Sequence, residues 1–280
     1  QQLEYRNLKL YGQERNLLTS AIGRMNLFLH GVEDFEIIRG DTLSAPAFVE
    51  YEKLKKFDVI LANPPYSIKQ WNRDAWASDP WGRNIYGTPP QGRADYAFWQ
   101  HIISSLNPKT GRCAILFPHG VLFRKEERNM REKLIEHDVL ECVLGLGPNL
   151  FYNSPMEACI VVCRMNKPSN RRRKILFIDA VNEVTREKAQ SFLTNEHIMR
   201  INNAYQSFAN DDGFCSVVSI DEVNEKSCNL SIPLYLKSDK RLRSEMHDVR
   251  ENEEIVSDWL DSSDRLIESI YNLINDYGLR

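Results

Sequence analysis

A chain of 280 residues is long enough for one large core and a smaller appendage. Its apolar fraction of 42% and charged fraction of 27% are those of an ordinary globular protein, which excludes a disordered or fibrous one. A formal net charge of -3 supplies no global attraction to nucleic acid, so any such contact would need a local basic face or a partner.

In chain order, LKLYGQE reads as a strand ending in the acid Glu14. Asn16 to His30 reads as a helix with Leu17, Ala21, Met25 and Phe28 on one face and Gly31 closing it. FEIIRGD is a second strand, and FDVILANPP a third that is too apolar throughout to be half-exposed. ADYAFWQHIISSL is a helix ended by the Asn107-Pro108 break and Gly111. RCAILFPHGVLF predicts another buried strand, followed by a charged helix from Lys125 to His137. VLECVLGL and EACIVVCRM supply two further strands, the second expected to be antiparallel, and ILFIDA one more. Strands alternating with helices of this length predict an open, mostly parallel α/β sheet.

The run Asn170 to Lys174 reads as a basic hinge, more readily a solvated connector than a DNA contact. Near Thr185 the texture turns to polar helix, broken loops and short strands, which predicts a domain over 1–184 and a mostly helical extension over 185–280. The extension ends in an amphipathic helix with Ile255, Trp259, Leu266, Ile270, Leu273 and Tyr277 on one stripe, free to dock on a partner or on the chain's own core. Six cysteines, four of them in apolar runs, lack zinc-site spacing and read as reduced core thiols. With no apolar run near the ~18 residues of a membrane span, and no signal-peptide pattern in QQLEYRNLKL, a cytoplasmic protein without a membrane role is expected.

The most specific signal is Asn63-Pro64-Pro65-Tyr66 at the C-terminal end of an apolar strand, where open α/β sheets bind ligands. An exocyclic amine on a purine is a poor nucleophile, because its lone pair is delocalised into the ring. The Asn63 side-chain carbonyl and the Pro64 backbone carbonyl can accept both amine hydrogens and favour the tetrahedral nitrogen that attack on a methyl group requires. The prolines hold those carbonyls in place beforehand. Tyr66 offers a ring to stack on a base taken out of the duplex. Between Ser67 and Arg93, Trp71, Trp76, Trp81 and Tyr86 alternate with Arg73, Arg83 and Arg93, which suits either stacking on nucleic acid or a loop folded on its own small core.

Asn63 to Tyr66 matches the (D/N/S)-P-P-(Y/F/W) motif of amino-group methyltransferases. LYGQERN, RGDTL, FDVILANPPYS, GRCAILFPHGVLF and NLFYNSPMEACIVVCR resemble, in order and spacing, successive blocks of the modification subunits of type I restriction-modification systems. The similarity covers about residues 8 to 180 and is looser near 227 to 236. It implies a Rossmann-like S-adenosylmethionine-dependent methyltransferase sheet and an N6-adenine DNA methyltransferase. Catalytic roles would fall to Asn63, Pro64, Pro65 and Tyr66. The cofactor S-adenosylmethionine would be held by Glu14 on the ribose hydroxyls, Asp41 on the adenine amine, Thr42 beside it, and Asn63. The resemblance makes Phe117-Pro118 a pocket wall, and His119 is not needed as a base. It implies double-stranded DNA, a specificity subunit and a restriction subunit as partners, and no metal. Nothing in Gln1 to Tyr11 resembles the family's glycine-rich cofactor loop, so the chain is expected to start one strand late and to be inactive in isolation. Two other readings stay open: a glutamine methyltransferase acting on release factors, which shares the NPPY motif, and a non-catalytic scaffold of a restriction complex.

Overall fold

A computed structural model describes residues 8–151, 156–187 and 190–236. The expected C-terminal stripe from Ile255 to Tyr277 lies outside the described residues. The chain opens with a strand, β1 (Leu10–Glu14), a helix, α1 (Leu17–Leu29), and a strand, β2 (Phe35–Arg39). The Asn16 side chain accepts the Thr19 N–H to start α1, and Gly31, at φ 71°, ends it in a conformation that a Cβ would resist. The two strands pair in parallel as a sheet of their own. A short hairpin, β3 (Val49–Glu50) and β4 (Lys53–Leu54), leads to β5 (Val59–Ala62).

The central sheet has six strands in the order β12-β9-β7-β8-β6-β5. Its members are β5, β6 (Arg112–Pro118), β7 (Leu140–Leu146), β8 (Ala158–Arg164), β9 (Lys174–Ala180) and β12 (Cys215–Ser219). The pairs β5–β6 and β7–β9 are parallel, whereas β6–β8, β7–β8 and β9–β12 are antiparallel. The expected antiparallel strand over EACIVVCRM is β8. The sheet as a whole is mixed, not mostly parallel, because β8 inserts between β6 and β7 and β12 folds back on β9.

Alternation along the strands sorts the core into two layers. Ile115, Phe117, Val143, Val161 and Phe177 face one side, where they pack with α3 (Asp95–Ser104), α4 (Arg128–Glu136) and α6 (Ile220–Glu225). Cys142, Leu144, Leu176 and Ile178 face the other side, where they meet Ile201, Ala204 and Tyr205 of α5 (Asn195–Ser207). Cover on both faces is why these strands read as continuous apolar runs. A short helix, α2 (Arg73–Ala77), and a two-residue hairpin, β10 (Thr185–Arg186) and β11 (Ser191–Phe192), complete the described elements.

The compact unit runs to Leu236. The boundary expected at residue 184 therefore falls inside it: β12 extends the sheet, and Leu230, Ile232 and Tyr235 belong to the core. The described part of the extension mixes strand with helix. In the basic run, Asn170, Arg172, Arg173 and Lys174 are exposed, as a solvated hinge requires, and one residue departs from that reading. Arg171 is buried, 3.4 Å from the fully buried Glu141 and stacked over Tyr205 and Phe208. All six cysteines are free and buried, and burial pushes the Cys159 thiol up to about 12.

Candidate active site

Glu14, Asp41, Thr42, Asn63, Pro64, Pro65 and Tyr66 all line one cavity of about 1280 Å³. β1 and the segment that follows β2 supply one wall, and β5 the other. Near its base Tyr11, Phe48 and Phe57 meet edge to face, with ring centroids 5.1 to 6.0 Å apart, and tie the start of β5 to β1. Residues that end three different strands thus open into one space.

Glu14 closes β1. Its Oε1 accepts the Asn16 N–H at 2.7 Å, and Oε2 has no partner among the described residues. Asp41 follows β2 and uses Oδ1 to accept the N–H groups of Leu43 and Ser44, at 3.0 and 3.3 Å. Its Oδ2 lies 3.7 Å from Arg15. Half of this carboxylate therefore builds the turn in which it sits. Asn63, directly after β5, is exposed to the cavity, and its amide has no hydrogen bond to another described residue. Pro64 is buried beneath it, and Tyr66 is half-buried. Burial, with Cys159 and Asp95 nearby, raises the Tyr66 phenol above its ordinary value, so it stays protonated and neutral.

Ser67 leaves the motif with φ 48°, a left-handed conformation that costs a non-glycine residue on the order of 1 kcal/mol. Asp95, buried at the start of α3, holds it there: Oδ1 accepts the Ser67 N–H at 2.8 Å. Arg124, which follows β6 and its short helical turn, donates to Asp95 Oδ2 at 2.7 Å. Glu127 also faces Arg124 at 3.4 Å. Its Oε2 is buried with no hydrogen-bond partner, and burial raises its carboxyl to about 7.

The aromatic-basic loop folds on its own core. Trp76 is buried with Leu43, Ala94 and Ala97. The Arg83 guanidinium lies between Trp76 and Trp81, at 4.7 and 4.9 Å, pairs with Asp79 at 2.6 Å and donates to the carbonyls of Thr42 and Leu43, each at 2.8 Å. Arg73 donates to the Pro89 carbonyl, and Arg93 pairs with Glu126. His101 sits beside Arg83, and burial lowers it to about 3, keeping it neutral. Arg83 thereby fastens the loop to the segment that carries Asp41 and Thr42.

Phe117 corrects one expectation. It packs on Trp99 in the core, with ring centroids 5.3 Å apart, and neither it nor Pro118 lines the cavity. The His119 Nε2 lies 3.0 Å from the Ala158 carbonyl and donates to it, so that nitrogen is engaged as a donor. Asp95 went unnoticed in the sequence, and Arg83 stood out only as one of three arginines in the aromatic loop, without the clamp that it forms. Asp95 passes for an acid in a helix's first turn, and Arg83 reaches partners some forty residues away.

An α/β sheet with an Asn-Pro-Pro-Tyr turn at a strand end, facing the same cavity as a strand-end carboxylate, has the layout of an amino-group methyltransferase. The comparisons agree with that class. The family described as N-6 DNA Methylase matches residues 1–243. The type I restriction enzyme MjaVIII methylase subunit of Methanocaldococcus jannaschii is 35% identical over 247 residues, 82% of this chain and 41% of that protein. The HindI methylase subunit of Haemophilus influenzae is 31% identical over 82% of this chain and 52% of its own length. A crystal structure of a type I restriction-modification system methyltransferase subunit from Streptococcus thermophilus superposes with a TM-score of 0.75 at 35% identity, covering 81% of this chain and 48% of that one. The chain belongs to the N-6 DNA Methylase family and has a methyltransferase fold. It spans about half the length of the curated relatives it matches. Among the described residues, no helix is long and apolar enough to cross a membrane.

Proposed function

We propose that this chain carries the target-base half of a site-specific N6-adenine DNA methyltransferase, the modification subunit of a type I restriction-modification system. The observation that carries the reading is the convergence of Asn63, Pro64, Pro65 and Tyr66 with Glu14, Asp41 and Thr42 on one cavity.

The donor set fits S-adenosylmethionine. Glu14 Oε2 is an unclaimed acceptor suited to ribose hydroxyls, and Asp41 with Thr42 stands at the next strand end to meet the adenine amine. When bound, the cofactor supplies a methyl group made electrophilic by a positively charged sulfur. The chain's own residues then act on the acceptor. Asn63 Oδ1 and the Pro64 carbonyl hold the two hydrogens of the target amine, and the prolines keep both acceptors from reorganising. Tyr66, a neutral phenol that burial shifts further upward, stacks on the extruded base without adding charge to the pocket. The amine becomes acidic only once it has been alkylated, so a strong base is not required, consistent with His119 being tied to a backbone carbonyl.

With a net charge of -3, the chain gains from sharing DNA contact, which favours assembly with a specificity subunit and, in the larger complex, a restriction subunit. The test uses the full-length methylase with its specificity subunit, DNA from an unmethylated host and radiolabelled cofactor. Asn63→Ala should lower methyl transfer by about 100- to 1000-fold, the scale for losing one preorganised acceptor, with cofactor affinity nearly unchanged. Tyr66→Ala should weaken base capture, and Tyr66→Phe should be mild. Parallel loss of transfer and cofactor binding in Asn63→Ala, or methylation of a GGQ peptide in place of DNA, would overturn the reading.

A further inference from the structure

Asp95 opens α3, but none of its side-chain hydrogen bonds goes to its own helix. Oδ1 accepts the Ser67 N–H at 2.8 Å, and Oδ2 faces the Ser67 hydroxyl at 3.4 Å and the Arg124 guanidinium at 2.7 Å. The carboxylate is 1% exposed, so it sits where an ion is retained only if it is paired and hydrogen-bonded. What it grips is the first residue after the Asn-Pro-Pro-Tyr turn, held in a left-handed conformation at φ 48°. Two prolines stiffen the turn from within, but they leave its exit free to pivot at Ser67. Arg124 in turn reaches Glu127 at 3.4 Å and the Ser67 hydroxyl at 3.4 Å, so the grip is anchored to the segment following β6.

We propose that Asp95 is a positioning residue for the Asn63–Tyr66 turn. By fixing the amide and the backbone sense of Ser67, it sets where the Asn63 and Pro64 carbonyls point. The inference rests on the methyltransferase reading for its catalytic consequence, but not for the pinning itself. Arg124 is part of the anchor, because its guanidinium donates to Asp95 Oδ2 at 2.7 Å and holds the carboxylate from the side opposite Ser67. Glu127 and Arg93 are the other charged groups that face Arg124 or its partners.

Asp95→Asn and Asp95→Leu separate this role from general stability. Both remove the charge opposite Arg124 and keep the branched shape of the side chain, but only asparagine retains an oxygen for the Ser67 N–H. Hydrogen–deuterium exchange of the 280-residue chain, read by mass spectrometry, gives a result that needs no activity. Peptides covering residues 62–70 should exchange about tenfold faster in Asp95→Leu than in Asp95→Asn, the factor expected for one hydrogen bond of ordinary net strength. Peptides from β7 and β9 should differ little between the two variants. Equal exchange at 62–70, or an equal rise in β7 and β9, overturns the proposal. In the full-length methylase, the single-turnover rate constant, which does not depend on the folded fraction, should be about 100-fold lower for Asp95→Leu than for wild type and recover to within about tenfold for Asp95→Asn. Equal rates for the two variants overturn the positioning role. A wild-type enzyme that transfers no methyl group overturns the functional reading instead, and exchange at 62–70 then decides the pinning by itself.

Discussion

β7 and β5 read almost alike as sequence, VLECVLGL against FDVILA, but they occupy opposite situations. Every residue of β7 is buried between β8 and β9, whereas β5 borders the sheet and leaves Leu61 79% exposed. The same contrast separates α4, which buries Met130, Leu134 and Ile135, from α1, where only Ser20 is buried and Phe28 is 71% exposed. Apolar character fixes which segments become strands and helices. Burial depends on what lies across the sheet edge and over the helix face, and that is a property of pairing. The half of the molecule built on β6 to β9 is a packed core, and in the half built on β1, α1, β2 and β5 the two strands β1 and β5 line a cavity.

The contrast is broken most sharply by truncating one aromatic ring in each half. Phe177→Ala removes a fully buried ring stacked on Tyr235 at 4.1 Å and should cost about 3–5 kcal/mol in urea unfolding. Phe28→Ala should stay within about 0.5 kcal/mol, as for surface positions. A cost above about 2 kcal/mol at Phe28 would mean that the α1 face is covered in solution. An intermediate effect belongs to Glu127, at the joint between the two halves. Its carboxyl is raised to about 7 by burial, so the folded state binds the proton more tightly than the unfolded chain. Stability therefore falls as pH rises from the ordinary carboxylate range through about 7, and is flat beyond either limit. Glu127→Gln should be more stabilising, relative to wild type, at pH 8 than at pH 5 by about 1–2 kcal/mol, read from melting curves at the two values. A difference independent of pH would show that Glu127 is ionised throughout. The smallest effect is expected at Leu61→Lys. Stability should change by less than about 0.5 kcal/mol, and self-association measured by light scattering should fall, because a charge blunts an open sheet edge. A large loss of stability would place Leu61 under cover.

Much of this was legible in the residues. The Asn-Pro-Pro-Tyr turn stands out because its residue types, its order and its place after an apolar strand all point to one chemistry. The strand that ends at Glu14 was legible as a strand, and β8 was recognisable as antiparallel. The exposure of α1 and β5 was misread: β5 was expected to be too apolar to be half-exposed, but Val59 and Leu61 are exposed, since helical and strand periodicity report a face without reporting what meets it. Arg171 was misread because a run of four basic residues looks solvated until Glu141, thirty positions earlier, folds beneath it. The pocket-wall role for Phe117 failed on strand alternation, which turns that side chain into the core. Asp95 and the clamp formed by Arg83 were invisible for a related reason: the partners lie 28 and about 40 residues away, and neither spacing repeats.

The Arg83 clamp also governs how the protein looks optically. Of five tryptophans, Trp71, Trp76 and Trp81 lie in the one loop that Arg83 fastens beside the cavity, and Trp71 lines the cavity itself. Trp99 is shielded in the core, its indole N–H donating to the Cys163 sulfur at 3.4 Å. Trp76 is as deeply buried as Trp99, so among the described tryptophans only Trp71 stands where an occupant of the cavity can touch it. The Arg83 guanidinium over the Trp76 and Trp81 rings, with a neutral imidazole beside it, keeps those two indoles in a fixed polar setting. A change of emission on filling the cavity would therefore report on Trp71, and the exposure of Trp76 and Trp99 would report on unfolding.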